Sequence, residues 1–161
     1  MRLLFPAVAL FLICSSCNKN KYTSAPQIKF KSIDQVLYSN TLIVPGQGPK
    51  LVITLTDAEG DFGFKEGKDT SLVFIKNITV PPFKMDSFKF PAALAKVAGK
   101  NFKGDVQIDL TSNGIGGNGV LDRTCASGCT DSLYFEVYVK DFAKNKSNVI
   151  KTAKPLLFIS P

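Results

Sequence analysis

Histidine and tryptophan are both absent from this 161-residue chain, and arginine occurs only as Arg2 and Arg123. Without histidine there is no Ser-His-Asp or Cys-His machinery and no His-ligated metal site. The near absence of arginine argues against nucleic-acid recognition, which relies on clustered arginine forks for phosphates and base edges. Lysine therefore carries almost all of the net charge of +7. Lys29 and Lys31 alternate along an expected strand, the pattern of a solvated basic face. A hydrophobic share of 45% with 20% charged residues rules out disorder and collagen and leaves one ordinary globular domain.

No apolar run is long enough to cross a bilayer. Leu3 to Ile13, after Met1 and Arg2, is about half the ~20 residues a spanning helix needs, and it reads as the hydrophobic region of a signal peptide. Ser15 and Ser16 then lead into Cys17, a pattern that resembles the lipobox of bacterial lipoproteins, where cleavage precedes a cysteine that receives acyl chains. The position three before Cys17 is Cys14, where that pattern usually has leucine; Cys14 itself follows Ile13 rather than a small residue. The expected organisation is a signal peptide over 1–16, a lipidated N-terminus and polar tether over 17–26, and a folded domain over 27–161. Several acyl chains anchor far more firmly than one. The resemblance implies the cell envelope and an outer-membrane location, with the face open.

The remainder reads as all-β. Period-two or continuous apolar runs occur at Gln27 to Ile33, Thr41 to Val44, Leu51 to Thr56, Leu72 to Val80, Asp105 to Leu110, Leu133 to Val139 and Asn148 to Ile159. Turn residues fall between them, as in Pro45-Gly46, Pro81-Pro82 and the glycine-rich stretch after Asn113. One helical segment is expected, Pro91 to Ala98, with proline in its first turn and Gly99 as its stop. About seven strands with one short inserted helix predict a β-sandwich and exclude repeated β-α-β units.

Two segments carry a family resemblance. Leu51-Val52-Ile53-Thr54-Leu55-Thr56 runs into Asp57-Ala58-Glu59-Gly60-Asp61-Phe62-Gly63, and Val137-Tyr138-Val139-Lys140 runs into Asp141-Phe142-Ala143-Lys144-Asn145-Lys146-Ser147. Together they resemble envelope lipoproteins with an immunoglobulin-like or cadherin-like domain, whose strands run into D-x-D-G-D-x-G and D-x-A-G-N-x-S. The sequence departs from that pattern at Glu59, where the family has aspartate, and at Lys144, where it has glycine. The resemblance implies an anchored Ig-like module and supplies no catalytic residue.

Three further features are weighed for chemistry. Gly114 to Gly119 fits G-x-G-x-x-G in letters, but the residues after it reach Cys125 and Gly128 without room for the crossover helix that a dinucleotide site requires, so it reads as a loop. Cys125 and Cys129 enclose only three residues; in an oxidising compartment they predict a local disulfide, and without histidine or a second cysteine pair they cannot complete a zinc site. Asp57, Glu59 and Asp61 crowd one turn, and in an Ig-type sandwich that turn shares a pole with the loop bearing Asp141 and Asn145. Such carboxylates repel unless donors or a cation lie between them, so the pole is either a pair of Asx turns or a calcium site. An EF-hand is excluded, because Phe62 and Lys68 fall where that loop needs glycine and glutamate.

The expected function is therefore a lipid-anchored, non-catalytic envelope module that binds or scaffolds a membrane or surface protein partner, with no nucleic acid. A calcium-dependent adhesion or interaction domain is the first alternative. A hydrolase or ligand carrier would need a deep polar cleft.

Overall fold

The computed structural model describes residues 20–34, 36–38, 48–63, 71–90, 99–111, 119–121 and 127–160. Within them the chain is all-β, with ten strands in three sheets and no helix. The first sheet has the order β1-β3-β6, formed by β1 (Gln27–Ile33), β3 (Lys50–Asp57) and β6 (Phe102–Asp109). The second runs β5-β4-β8-β9, with β4 (Leu72–Asn77), β5 (Met85–Lys89), β8 (Phe135–Lys140) and β9 (Ile150–Lys151). The third is β2-β10-β7, with β2 (Val36–Tyr38), β7 (Cys129–Leu133) and β10 (Leu156–Ser160). All pairings are antiparallel except β10 with β2. The architecture is compatible with a sandwich.

Alternation explains the central strands. In β3, Leu51, Ile53 and Leu55 are fully buried while Val52, Thr54 and Thr56 stay partly exposed. In β8, Phe135, Val137 and Val139 do the same, and Val73 and Ile75 of β4 lie in the same core. Each such side chain contributes about 1.5–3 kcal/mol relative to leaving it in water. The outer face of the second sheet is aromatic: Phe74 stacks on its cross-strand neighbour Tyr138 at 4.6 Å, with the Lys140 and Lys146 ammonium groups over the two rings.

Two runs expected as single strands are each divided. Leu133 to Val139 breaks at exposed Tyr134, so that β7 pairs with β10 in the third sheet while β8 pairs with β4 in the second. Asn148 to Ile159 breaks over 152–155, where Thr152 bonds to Phe135 through its backbone N–H and its hydroxyl and Pro155 lacks a donor. Strands β2, β5 and β7 were not expected as such. In β5, the outline is hidden because Asp86 occupies an inward position beside Phe88, satisfied by the Ser87 and Gly119 N–H groups. The expected strand at Thr41 to Val44, the helix at Pro91 to Ala98, residues 1–16, Cys17 and Cys125 lie outside the described residues.

The N-terminal approach is ordered against the domain before β1 begins. The Lys21 N–H donates to Asn101 Oδ1 at 2.7 Å, the Ala58 N–H to the Thr23 carbonyl at 3.0 Å, and Pro26 is buried. These bonds lay the expected tether, from Lys21 onward, over the turn that follows β3.

Candidate metal centre

The turn after β3 is built by Asp57 and Gly60. Asp57 Oδ2 accepts the Gly60 N–H at 2.5 Å, an Asx turn that brings the chain back under itself. Gly60 sits at φ 64°, and a Cβ there would lie 2.2 Å from the Gly99 carbonyl oxygen, so close backbone approach as well as conformation demands glycine. Phe62 follows and packs against Phe90 and Phe102 with ring centroids 5.4 and 6.0 Å away, closing this end of the core. Asp61 is thereby fixed between a buried aromatic and the turn.

The second loop leaves β8 at Asp141. Its Oδ1 accepts the Asn145 N–H at 2.8 Å and its Oδ2 the Asn145 side-chain amide at 2.9 Å, while the Lys144 N–H returns to the Asp141 carbonyl. Lys144 occupies φ 69°, the left-handed position where the resembled family has glycine. The two loops are joined directly: the Phe142 N–H donates to the Asp61 carbonyl at 3.1 Å, and the nearby Ala143 N–H opposes the rise of the Asp61 carboxyl.

This geometry brings Asp57, Asp61 and Asp141 together, each offering a carboxylate oxygen within 4.8 Å of the others. Asp57 and Asp141 are 0% exposed and Asp61 is partly buried. Among the described residues, neither Asp57 Oδ1 nor Asp61 Oδ1 has a hydrogen-bond partner, although both are buried. Desolvation pushes the Asp57 carboxyl up to about 6; the Gly60 N–H opposes that rise, while Asp61, Glu59 and Asp141 reinforce it. Asp61 is raised by burial and by Asp141. The neighbouring charges acting on the pair are acidic, and the oxygens that lack donors are where a cation would be most stabilised.

Of the two other expected ligands, Glu59 stands outside the cluster and Asn145 lies against it. Glu59 is exposed and accepts a hydrogen bond from Ser24 at 2.9 Å, close enough to act on the aspartates by charge but outside their cluster. Asn145 turns its amide nitrogen to Asp141 and so positions that carboxylate. Cys129 opens β7.

A second concavity lies on the outer face of the first sheet. It encloses about 840 Å³ and is lined by Tyr22, Lys29, Lys31, Thr54, Lys103 and Asp105 among others. Lys31 forms an ion pair and hydrogen bond with Asp105, which also accepts from Thr54, holding that carboxyl below its ordinary value. Sequence reasoning missed this groove because its lysines come from β1 and β6, paired only through β3.

No family model matches the chain, and no curated protein or solved structure is significantly similar to it. What the described residues define is an all-β domain with a buried acidic pole.

Proposed function

We propose that the chain is a lipid-anchored cell-envelope module, an Ig-like β-sandwich that binds or scaffolds a protein partner and performs no catalysis. The observation that carries this reading is the ordered approach of the N-terminus. Only Asn18, Lys19 and Asn20 separate Cys17, the lipidation candidate, from Lys21, which is already bonded to Asn101. Those few links reach at most about 14 Å. A lipid on Cys17 therefore holds the domain against its membrane by the acidic pole, with Tyr22 and the lysine-bearing groove on the same approach.

Burial supports a non-catalytic role. Asp57 and Asp141 are buried side chains, which leaves the strongest candidates for acid-base work no open cleft to share with an organic substrate. The polar ladder of Thr54, Thr56, Lys103 and Lys29 on the first sheet offers a broad surface suited to a partner. In the oxidising compartment that a signal peptide implies, Cys125 and Cys129 close a small ring at the start of β7, pinning a loop more than the domain.

Expression with labelled fatty acid tests the anchor. Wild type incorporates the acyl label, and Cys17→Ser leaves an unprocessed, unlabelled precursor. Acylation that persists in Cys17→Ser overturns the anchor. Crosslinking of intact envelopes followed by capture of the native chain then identifies the partner, which is expected to be a membrane or surface protein.

A further inference from the structure

We propose that Asp57, Asp61 and Asp141 form a calcium site that clasps the turn after β3 to the loop after β8. A crowd of acids is not by itself a site. Here a second observation points to a ligand: Asp57 is wholly buried and its Oδ1 has no hydrogen-bond partner among the described residues, within a cluster whose members lie inside 4.8 Å. A buried oxygen of that kind loses its hydration with nothing in return unless something pairs with it. The orphaned Asp61 Oδ1 adds a second such loss in the same cluster.

The donor set selects the ion. Oxygen-only carboxylate ligands suit hard cations and disfavour zinc or copper, which take nitrogen and sulfur. Between calcium and magnesium, the looser coordination of calcium suits ligands already fixed by their own loops. Calcium holds its oxygens at about 2.3–2.6 Å, so ligands on opposite sides stand up to about 5 Å apart, whereas octahedral magnesium spans only about 4 Å. The three carboxylate oxygens lie within 4.8 Å of one another, a separation that one calcium ion can bridge. Asn145 supports the site from behind by fixing both oxygens of Asp141, and the Phe142 N–H holds the Asp61 backbone beside it. Water would complete the coordination shell.

The site also bears on the N-terminal approach. Ala58, between Asp57 and Glu59, donates to Thr23, and Glu59 accepts from Ser24. An ion that fixes this turn fixes the surface on which residues 21–26 lie.

The test uses the full chain purified in EDTA, with calcium chloride as the probe. Titration calorimetry is expected to show one site, with a dissociation constant near the 10⁻⁴–10⁻³ M of extracellular modules. Calcium at about 100-fold over that value should raise the melting temperature by roughly 5–10 °C over EDTA, with magnesium at equal concentration giving less than half the shift. Asp57→Asn and Asp61→Asn should each weaken calcium at least tenfold, yet melt higher than wild type in EDTA because one repelling charge is gone. Asp109→Asn, on β6 at the opposite end of the first sheet, should keep the calcium shift. A wild-type melt that calcium leaves unmoved overturns the site, and if Asp57→Asn then gains equally in EDTA and calcium, the cluster is held by shared protons. Acyl labelling of Cys17 is read separately, so a failure here leaves the anchor standing and a failure there leaves the ion.

Discussion

At the Lys50 end of β3, every oxygen of Asp109 is engaged: Oδ1 accepts from the Thr111 N–H at 2.9 Å and its hydroxyl at 2.6 Å, and Oδ2 from Lys50 Nζ at 2.6 Å and the Gly48 N–H at 3.3 Å. At the other end, ~24 Å away along the strand, Asp57 has one backbone donor and three acidic neighbours. Burial works against ionisation at both ends, but the Lys50 and Thr111 donors overcome it at Asp109 and hold that carboxyl down to about 2, whereas Asp57 is pushed up to about 6. One strand thus ends in a finished ion pair and in an unfinished one. The difference lies in who was recruited: a lysine and a hydroxyl at one end, more carboxylates at the other.

The largest effect is expected from breaking the finished end. Asp109→Ala leaves Lys50, only 21% exposed, without its carboxylate and removes the acceptor for Gly48 and Thr111. A loss of about 2–3 kcal/mol follows, read from the urea midpoint and equal in EDTA and in calcium. A loss below ~0.5 kcal/mol would class the pair with ordinary surface ion pairs and remove the contrast.

The pH response in EDTA sharpens the comparison. Asp57 titrates above its unfolded value, so the native state takes up protons between about pH 6 and 4 and gains stability as pH falls through that window. Asp109 titrates below its unfolded value; its contribution is present above about pH 4 and is lost as pH falls toward 2. The melting temperature should therefore climb on acidification from neutrality, pass a maximum near pH 4–5 and then drop. Asp57→Asn should flatten the climb, and Asp109→Asn should shallow the drop. A monotonic fall from pH 7 in the wild type would mean that Asp57 is not strained when ionised.

The smallest effect tests the loop that presents Asp141. At φ 69°, Lys144 carries a left-handed penalty of about 1 kcal/mol, which Lys144→Gly relieves while adding freedom to the unfolded chain. The side chain has contacts of its own that are also lost. The net gain should stay under about 1 kcal/mol, with calcium affinity unchanged. A melting temperature lowered by more than about 5 °C would show that the side chain matters more than the backbone.

Much of this was legible in the sequence. Alternation located β1 to the residue and β3 within one at each end, because both turn an apolar face to the core and on β3 a polar group joins that face only at its last residue, Asp57. The convergence of Asp57 and Asp61 with Asp141 was legible too, since strands that end in Asx turns at the same pole announce themselves by Asp-rich loops. The division of labour among those acids was not. Glu59 and Asp57 look alike two residues apart, but the Gly60 turn sends one inward and leaves the other to Ser24. Nor could the sheet changes at Tyr134 and across 152–155 be read, for a run of strand-forming residues looks the same whether it serves one sheet or two. Asp86 hid β5 by placing a carboxyl group where the pattern demanded an apolar residue, and its burial is eased by N–H groups that include the distant one of Gly119.

Asn148 has a consequence of another kind. Its side-chain oxygen accepts the Ile28 N–H at 2.8 Å and its nitrogen donates to the Ile28 carbonyl at 3.0 Å, so one amide imitates a stretch of partner strand on the flank of β1 away from β3. An open flank of that sort recruits other chains. Molecules tethered to a surface meet at far higher local density than molecules in solution, and they meet in similar orientations. A side chain occupying the socket at Ile28 blocks that flank to a second strand, and if Cys17 carries the proposed lipid, that block would let many copies crowd one membrane without zipping into a common sheet.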